Sequence, residues 1–142
     1  MMKEKYPVRF IFFSTQKSPR HKEILGFANQ LFFAPEISIH SRVEGFSKAI
    51  LAPGYDHQII LILAASSLDL ARILPLRTVF EDRPVILILP GSEKDTLTQA
   101  LSLYPRYIDY IQNDPKDVYL VLEKMVKKIR KQAAMEKMKA QQ

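Results

Sequence analysis

The stretch His57–Ser67, HQIILILAASS, decides how the chain is read. Five aliphatic residues in a row, Ile59 to Leu63, give way to two alanines and two serines. A run this short, β-branched and unalternating marks a strand covered on both faces, as in a parallel sheet with helices above and below. Reaction and ligand sites of open α/β domains gather at the carboxyl ends of their strands. Here Ala64, Ala65, Ser66 and Ser67 follow the strand, with no carboxylate, histidine or cysteine among them. The stretch therefore reads as a scaffold that binds rather than reacts.

Outward from this strand, the same grammar repeats. Val8–Phe13 (VRFIFF) predicts the first strand, and Ser18-Pro19 predicts the cap and first position of a helix with Ile24, Leu25, Ala28, Leu31 and Phe32 inward. Glu36–His40 alternates, which suits a strand nearer the sheet edge. Ser41 and Glu44 have capping-box spacing ahead of Val43, Phe46, Ala49 and Ile50. Ser67 is the expected cap of a helix over 68–80, which Pro75 should kink or end. Pro84–Leu89 predicts a second fully buried strand. Ser92 and Asp95 are spaced to cap the next helix, with Leu97, Ala100, Leu101 and Tyr104 inward. Tyr107–Ile111 is the fifth strand, and Asn113-Asp114-Pro115 opens a last helix with Val118, Val121, Leu122, Met125, Val126 and Ile129 as its apolar stripe. Five strands alternating with five helices, joined by right-handed crossovers, predict a three-layer α/β/α sandwich. Its five-stranded parallel sheet would have the flavodoxin-like order 2-1-3-4-5.

With 142 residues, 47% of them hydrophobic, the chain fits one domain with a proper core. The expected division is a domain over 7–130 and a basic helical extension or tail over 131–142. Without cysteine there are no disulfides, thiolates or cysteine-ligated zinc. No apolar run is long enough to span a bilayer, and the start has no signal-peptide core, so the expected setting is the cytoplasm, with no membrane partner. Nearly all of the net charge of +6 lies at the end of the chain. From Glu123 onward, seven Lys/Arg face only Glu123 and Glu136. Solvated lysines on a helix account for such a run more readily than nucleic-acid binding does.

Individual residues give little chemistry. The three histidines, His21, His40 and His57, have no metal-ligand spacing. No GxGxxG, phosphate-binding GxxxxGK[ST] or G-x-S-x-G occurs. Gly91-Ser92 is strand-to-helix punctuation, and Ser14, Ser66 and Ser67 lack a partner base. Phe10, Phe12 and Phe13 suit a core better than a base-stacking platform. The last helix either frays after Gln132 or carries Ala133, Met135 and Met138 out to a partner or a second copy.

Strand by strand, residues 7–130 resemble the receiver domain of bacterial response regulators. RPVILILPGS (83–92) is similar to that family's fourth strand, IDYIQNDP (108–115) to its fifth strand and following turn, and HQIILIL to its third. The resemblance implies a place in two-component phosphorelay signalling, and it also implies what a phosphorylation site would need. Two acidic residues should follow the first strand to hold Mg²⁺, where Ser14 and Thr15 stand. The phosphoacceptor aspartate is replaced by Ala64, the hydroxyl after the fourth strand by Leu89 and Pro90, and the lysine after the fifth by Asn113. Such a pseudo-receiver would be no enzyme, would hold no metal or cofactor, and would act through protein contacts. The family's surface of fourth helix, fifth strand and fifth helix would carry Thr98, Tyr104, Arg106, Tyr110 and Lys116. A homodimer through that face or through the C-terminal helix is the accompanying expectation. The alternatives are a small-molecule or anion pocket at the strand carboxyl rim and a nucleic-acid-binding tail.

Overall fold

A computed structural model describes residues 7–141. Its five strands are β1 (Arg9–Ser14), β2 (Ile37–His40), β3 (Gln58–Leu63), β4 (Val85–Leu89) and β5 (Tyr107–Tyr110). The five helices are α1 (Pro19–Leu31), α2 (Val43–Leu51), α3 (Ser67–Ile73), α4 (Lys94–Leu101) and α5 (Lys116–Ala140). The strands form one parallel sheet in the order β2-β1-β3-β4-β5. The predicted three-layer sandwich and its strand order are thus both present.

Successive residues of a strand point to opposite faces, which sorts the core into two halves. Ile11, Phe13, Ile60, Ile62, Val85, Leu87 and Leu89 pack against Phe46 and Ile50 of α2, Leu70 and Ile73 of α3, and Ala100 of α4. Phe10, Phe12, Ile59, Leu61, Ile86 and Ile88 pack against Ile24 and Ala28 of α1 and Val118, Leu122 and Val126 of α5. Each large side chain so buried contributes roughly 1.5–3 kcal/mol, which is why β1, β3 and β4 tolerate no polar position in mid-strand. Phe10, Phe12 and Phe13 lie in this core, as their sequence suggested.

The helix starts hold most of the departures. Ser18 does cap α1, accepting the His21 N–H at 3.2 Å. Ser41 does not cap α2: Arg42 is the N-cap, and no side chain bonds the first turn. Ser66, not Ser67, caps α3, taking the Asp69 N–H. Ser92 and Asp95 form no cap for α4, whose N-cap is Glu93. Where polar residues cluster before a helix, the pattern fixes that a helix starts nearby but not which residue turns outward. Helix α3 ends at Ile73 and passes into a 3₁₀ turn over Leu74–Leu76, because Pro75 has no N–H to offer and its ring crowds the preceding turn. Leu101 and Tyr104, expected inward, face solvent at about 60% exposure. Helix α4 stops at Leu101, and Tyr104 takes a left-handed φ of 55° that turns it off the helical face.

Helix α5 does not fray after Gln132 but continues to Ala140, 25 residues or about 37 Å. Its midpoint is fixed by Arg130, whose Nη2 donates to the Leu31 carbonyl at 3.0 Å. The same guanidinium lies 3.9 Å from Glu36 and over the Phe32 ring. Glu36, expected in the second strand, sits just before β2 in a 3₁₀ turn and is buried at 4% exposure. It accepts the Val8 N–H at 2.8 Å and the Phe33 N–H at 2.7 Å.

Candidate functional site

The carboxyl ends of β1, β3 and β5 form the rim at which a parallel sheet places its site. Ser14, the last residue of β1, is nearly buried, and its Oγ donates to the Gln16 carbonyl at 2.7 Å. Ala64 is fully buried directly after β3, and its N–H donates to the Ile88 carbonyl, so its backbone belongs to the sheet. Leu89 ends β4 inside the core. Asn113 turns back on the strand it follows: its Nδ2 donates to Asp109 Oδ1 at 2.7 Å. The predicted pocket positions therefore stand at the strand ends, and each side chain is either apolar or already committed to a neighbour.

Besides Asp109, the rim holds a carboxylate from the helix that follows β3. Asp69, in the first turn of α3, folds back over the end of β3 and is 5% exposed. Its Oδ2 accepts the Ala65 N–H at 3.0 Å and the Thr15 hydroxyl at 3.1 Å. Asp69 thus ties the loop after β1 to the loop after β3. The available signal was Ser66-Ser67-Leu68-Asp69, which has capping-box spacing once Ser66 is taken as the cap.

A cation reaches the rim from a direction the sequence did not suggest. Arg20, at the start of α1, donates from Nη2 to the carbonyls of Ile111 (2.8 Å) and Asn113 (2.6 Å). Its Nε lies 3.8 Å from Glu23. Arg20, Ser14, Gln16, Ser18 and Ala65 line a cavity of about 290 Å³. The lining combines hydroxyl and amide groups with one guanidinium, the Glu23 carboxylate, and the apolar Pro19, Leu63 and Ile111. Among the described residues, no three of His, Cys, Asp and Glu gather where they could share a metal ion. A carboxylate already holding two donors offers little to Mg²⁺, which needs near-octahedral oxygen coordination.

The three histidines are scattered as their spacing suggested. His21 packs on Phe12, and burial with Lys17 and Lys22 nearby holds its pKa below 6.5. His40 meets Ser38, and burial and Arg9 lower its pKa likewise. His57 lies 3.8 Å from Glu136 on the far end of α5.

The second predicted group runs along the β5 edge. Thr98 on α4 donates its hydroxyl to the Lys94 carbonyl at 2.9 Å. Tyr104 and Arg106 are exposed on the approach to β5, Tyr110 is half-buried against the core under α4, and Lys116 is exposed at the start of α5. None of the five hydrogen-bonds the side chain of another among the described residues. They form an open face rather than a closed site.

No protein-family model matches the sequence, and no curated protein matches it either. Solved structures do. A response regulator from Burkholderia pseudomallei, carrying a phosphorylated aspartic acid, a calcium ion and citrate, superposes with a TM-score of 0.60 at 12% identity, over 91% of this chain and 74% of that one. A CheY-like receiver domain protein from Methanospirillum hungatei gives 0.59 at 11% identity, over 88% and 98% of the two chains. A putative pilus assembly protein from Burkholderia thailandensis gives 0.56 at 15% identity, over 82% and 96%. The chain has the CheY-like receiver fold. Among the described residues, no helix is long and apolar enough to cross a membrane.

Proposed function

We propose that the chain is a receiver-type signalling domain that takes no phosphoryl group on aspartate and works by contact with a protein partner. The observation that carries this reading is the rim of β1 and β3. Ala64 stands at the strand end, the carboxylate that folds over it, Asp69, is occupied by Thr15 and the Ala65 N–H, and Asp109 on β5 accepts from Asn113 and the Tyr110 N–H. Phosphorylation by the receiver route needs a free carboxylate oxygen to attack phosphorus and a divalent cation to neutralise the charge that develops. Asp69 would have to release both donors to act as that nucleophile, and among the described residues no three of His, Cys, Asp and Glu gather to hold the metal.

A domain of this kind switches only if something binds two of its states unequally, and a protein partner can supply that difference without chemistry. The face of α4, β5 and the start of α5 suits such a partner, or a second copy. It exposes Leu101 and Tyr104 among Thr98, Arg106 and Lys116, a mixture of apolar and polar groups typical of contact surfaces. No cofactor enters this reading, and neither do nucleic acid and membrane.

The test is incubation with a small phosphodonor and Mg²⁺, read by intact-mass spectrometry. An unchanged mass is expected. A phosphoryl adduct mapped to Asp69 or Asp109 overturns the reading.

A second reading is favoured by Arg20: the 290 Å³ cavity could take a small anion against its guanidinium. Native-state binding would raise the melting temperature in a screen of small carboxylates and phosphates, and Arg20→Ala would abolish the rise.

A further inference from the structure

The outer face of α5 carries a seam that no function given above uses. Leu120, Lys124, Lys127, Lys131, Ala134 and Met138 follow one another at alternating steps of four and three residues. That spacing keeps side chains in line along one side of a helix, the repeat by which one helix presents itself to another. Ala134 is half-buried and the other five are exposed, on the side opposite Val118, Leu122, Val126 and Ile129, which face the sheet. Met138 is 63% exposed and Leu120 48%. The seam spans about 27 Å at 1.5 Å per residue, and its last three positions, Lys131, Ala134 and Met138, lie beyond Arg130, where α5 is anchored.

The seam's chemistry narrows what can cover it. Two copies pairing through it would set lysines against lysines at three central positions, and like charges across a helix interface cost stability. Lys124 and Lys131 form no ion pair among the described residues, while Lys127 reaches Glu123 on its own helix at 2.9 Å. A nucleic acid would use the lysines but leave Leu120 and Met138 without a role, and the seam has no aromatic residue for base stacking. Helices that lie in a lipid surface carry a broad apolar face of bulky residues, which one leucine, one methionine and one alanine do not provide. Apolar ends with a cationic middle match another helix that is apolar at its ends and acidic between.

We propose that the α5 seam from Leu120 to Met138 docks an acidic amphipathic helix of a partner protein, with glutamates or aspartates opposite Lys124 and Lys131 and apolar side chains opposite Leu120 and Met138. The proposal rests on the contact-only reading above, but it is tested without a phosphodonor, so either can fail while the other stands. The probe is a fluorescent synthetic helical peptide with leucine at its seam positions and glutamate beside them. Its charge-reversed lysine version serves as control, and binding to the full chain is read by anisotropy. The acidic peptide should bind, and the lysine peptide should not. The Lys124→Glu, Lys131→Glu double variant should lose at least about tenfold in affinity for the acidic peptide and gain affinity for the lysine one. Lys94→Glu, on α4, should change nothing. Circular dichroism checks that each variant keeps its fold. Absence of acidic-peptide binding overturns the proposal, as does equal loss in the Lys94→Glu control. So does tighter binding to a DNA duplex or to phosphatidylserine vesicles than to the peptide, or a dimer of the free chain that the double variant abolishes.

Discussion

Two of the three buried carboxylates among the described residues, Glu36 and Asp69, sit at opposite ends of the sheet, and their surroundings differ in kind. Glu36, at the end where the strands begin, accepts two backbone N–H groups and faces the buried guanidinium of Arg130. Asp69, at the end where the strands finish, accepts one N–H and one hydroxyl, with no cation among its partners. The first belongs to a charged network joining β1, the α1–β2 turn and α5. The second is a local tie between two loops. Of these two carboxylates, the one that faces a cation thus serves to fix α5 and not the rim that would carry receiver chemistry.

The sharpest way to break this contrast is Glu36→Ala. It strands the buried guanidinium of Arg130 and orphans the N–H groups of Val8 and Phe33, and removing one partner of a buried pair costs roughly 3–5 kcal/mol. Urea denaturation should show a loss of that size. Combining Glu36→Gln with Arg130→Met should recover most of it, since replacing both partners removes the uncompensated charge. Asp69→Ala comes next, with a loss of about 1–3 kcal/mol for the two donors left unmet, measured in the same way. Asp69→Asn keeps an acceptor oxygen and should cost under about 1 kcal/mol. Were Asp69→Asn as damaging as Glu36→Ala, Asp69 would have to be facing a cation and the contrast would be lost. Arg20→Ala, which releases the carbonyls of Ile111 and Asn113, should cost about 1–2 kcal/mol and loosen the β5–α5 turn, visible as faster amide exchange at residues 111–114.

The smallest effect is the pH dependence. His21 and His40 both have pKa values held below 6.5 in the fold. The unfolded chain therefore takes up their protons first as pH falls. Stability from these two residues is complete above about pH 6.5 and declines as pH drops through their folded values. His21→Gln should flatten the slope of melting temperature against pH below 6.5 without changing the plateau above it.

The parts of the molecule that could be read in advance are those whose signal is spread over many residues. The aliphatic runs of β3 and β4 each commit five consecutive positions to burial, and the sandwich and its strand order follow from their alternation with helices. Cap positions were misread at Ser41, Ser67 and Ser92 because each depends on which of two or three neighbouring residues leaves the helical backbone. Neighbours differ little in propensity there. The inward turn of Asp69 follows from that same choice, so missing Ser66 as the cap also hid the carboxylate that ties the β1 and β3 loops. The Arg130 anchor was invisible for another reason. Arg130 and the Leu31 carbonyl are 99 positions apart, and no local pattern encodes a contact between them. Arg20 is of the same type, reaching 91 positions to Ile111.

The clamp on Arg130 also fixes the rotational phase of everything beyond it. Because the helix is held there from several sides, the last ten residues have one bearing about the helix axis. A single alanine inserted after Gln132 would advance that bearing by about 100° and swing Met138 out of line with Lys124 and Lys131, while leaving composition, charge and helicity nearly untouched. A partner that grips both stretches would feel that one-residue insertion as keenly as the loss of the methionine itself.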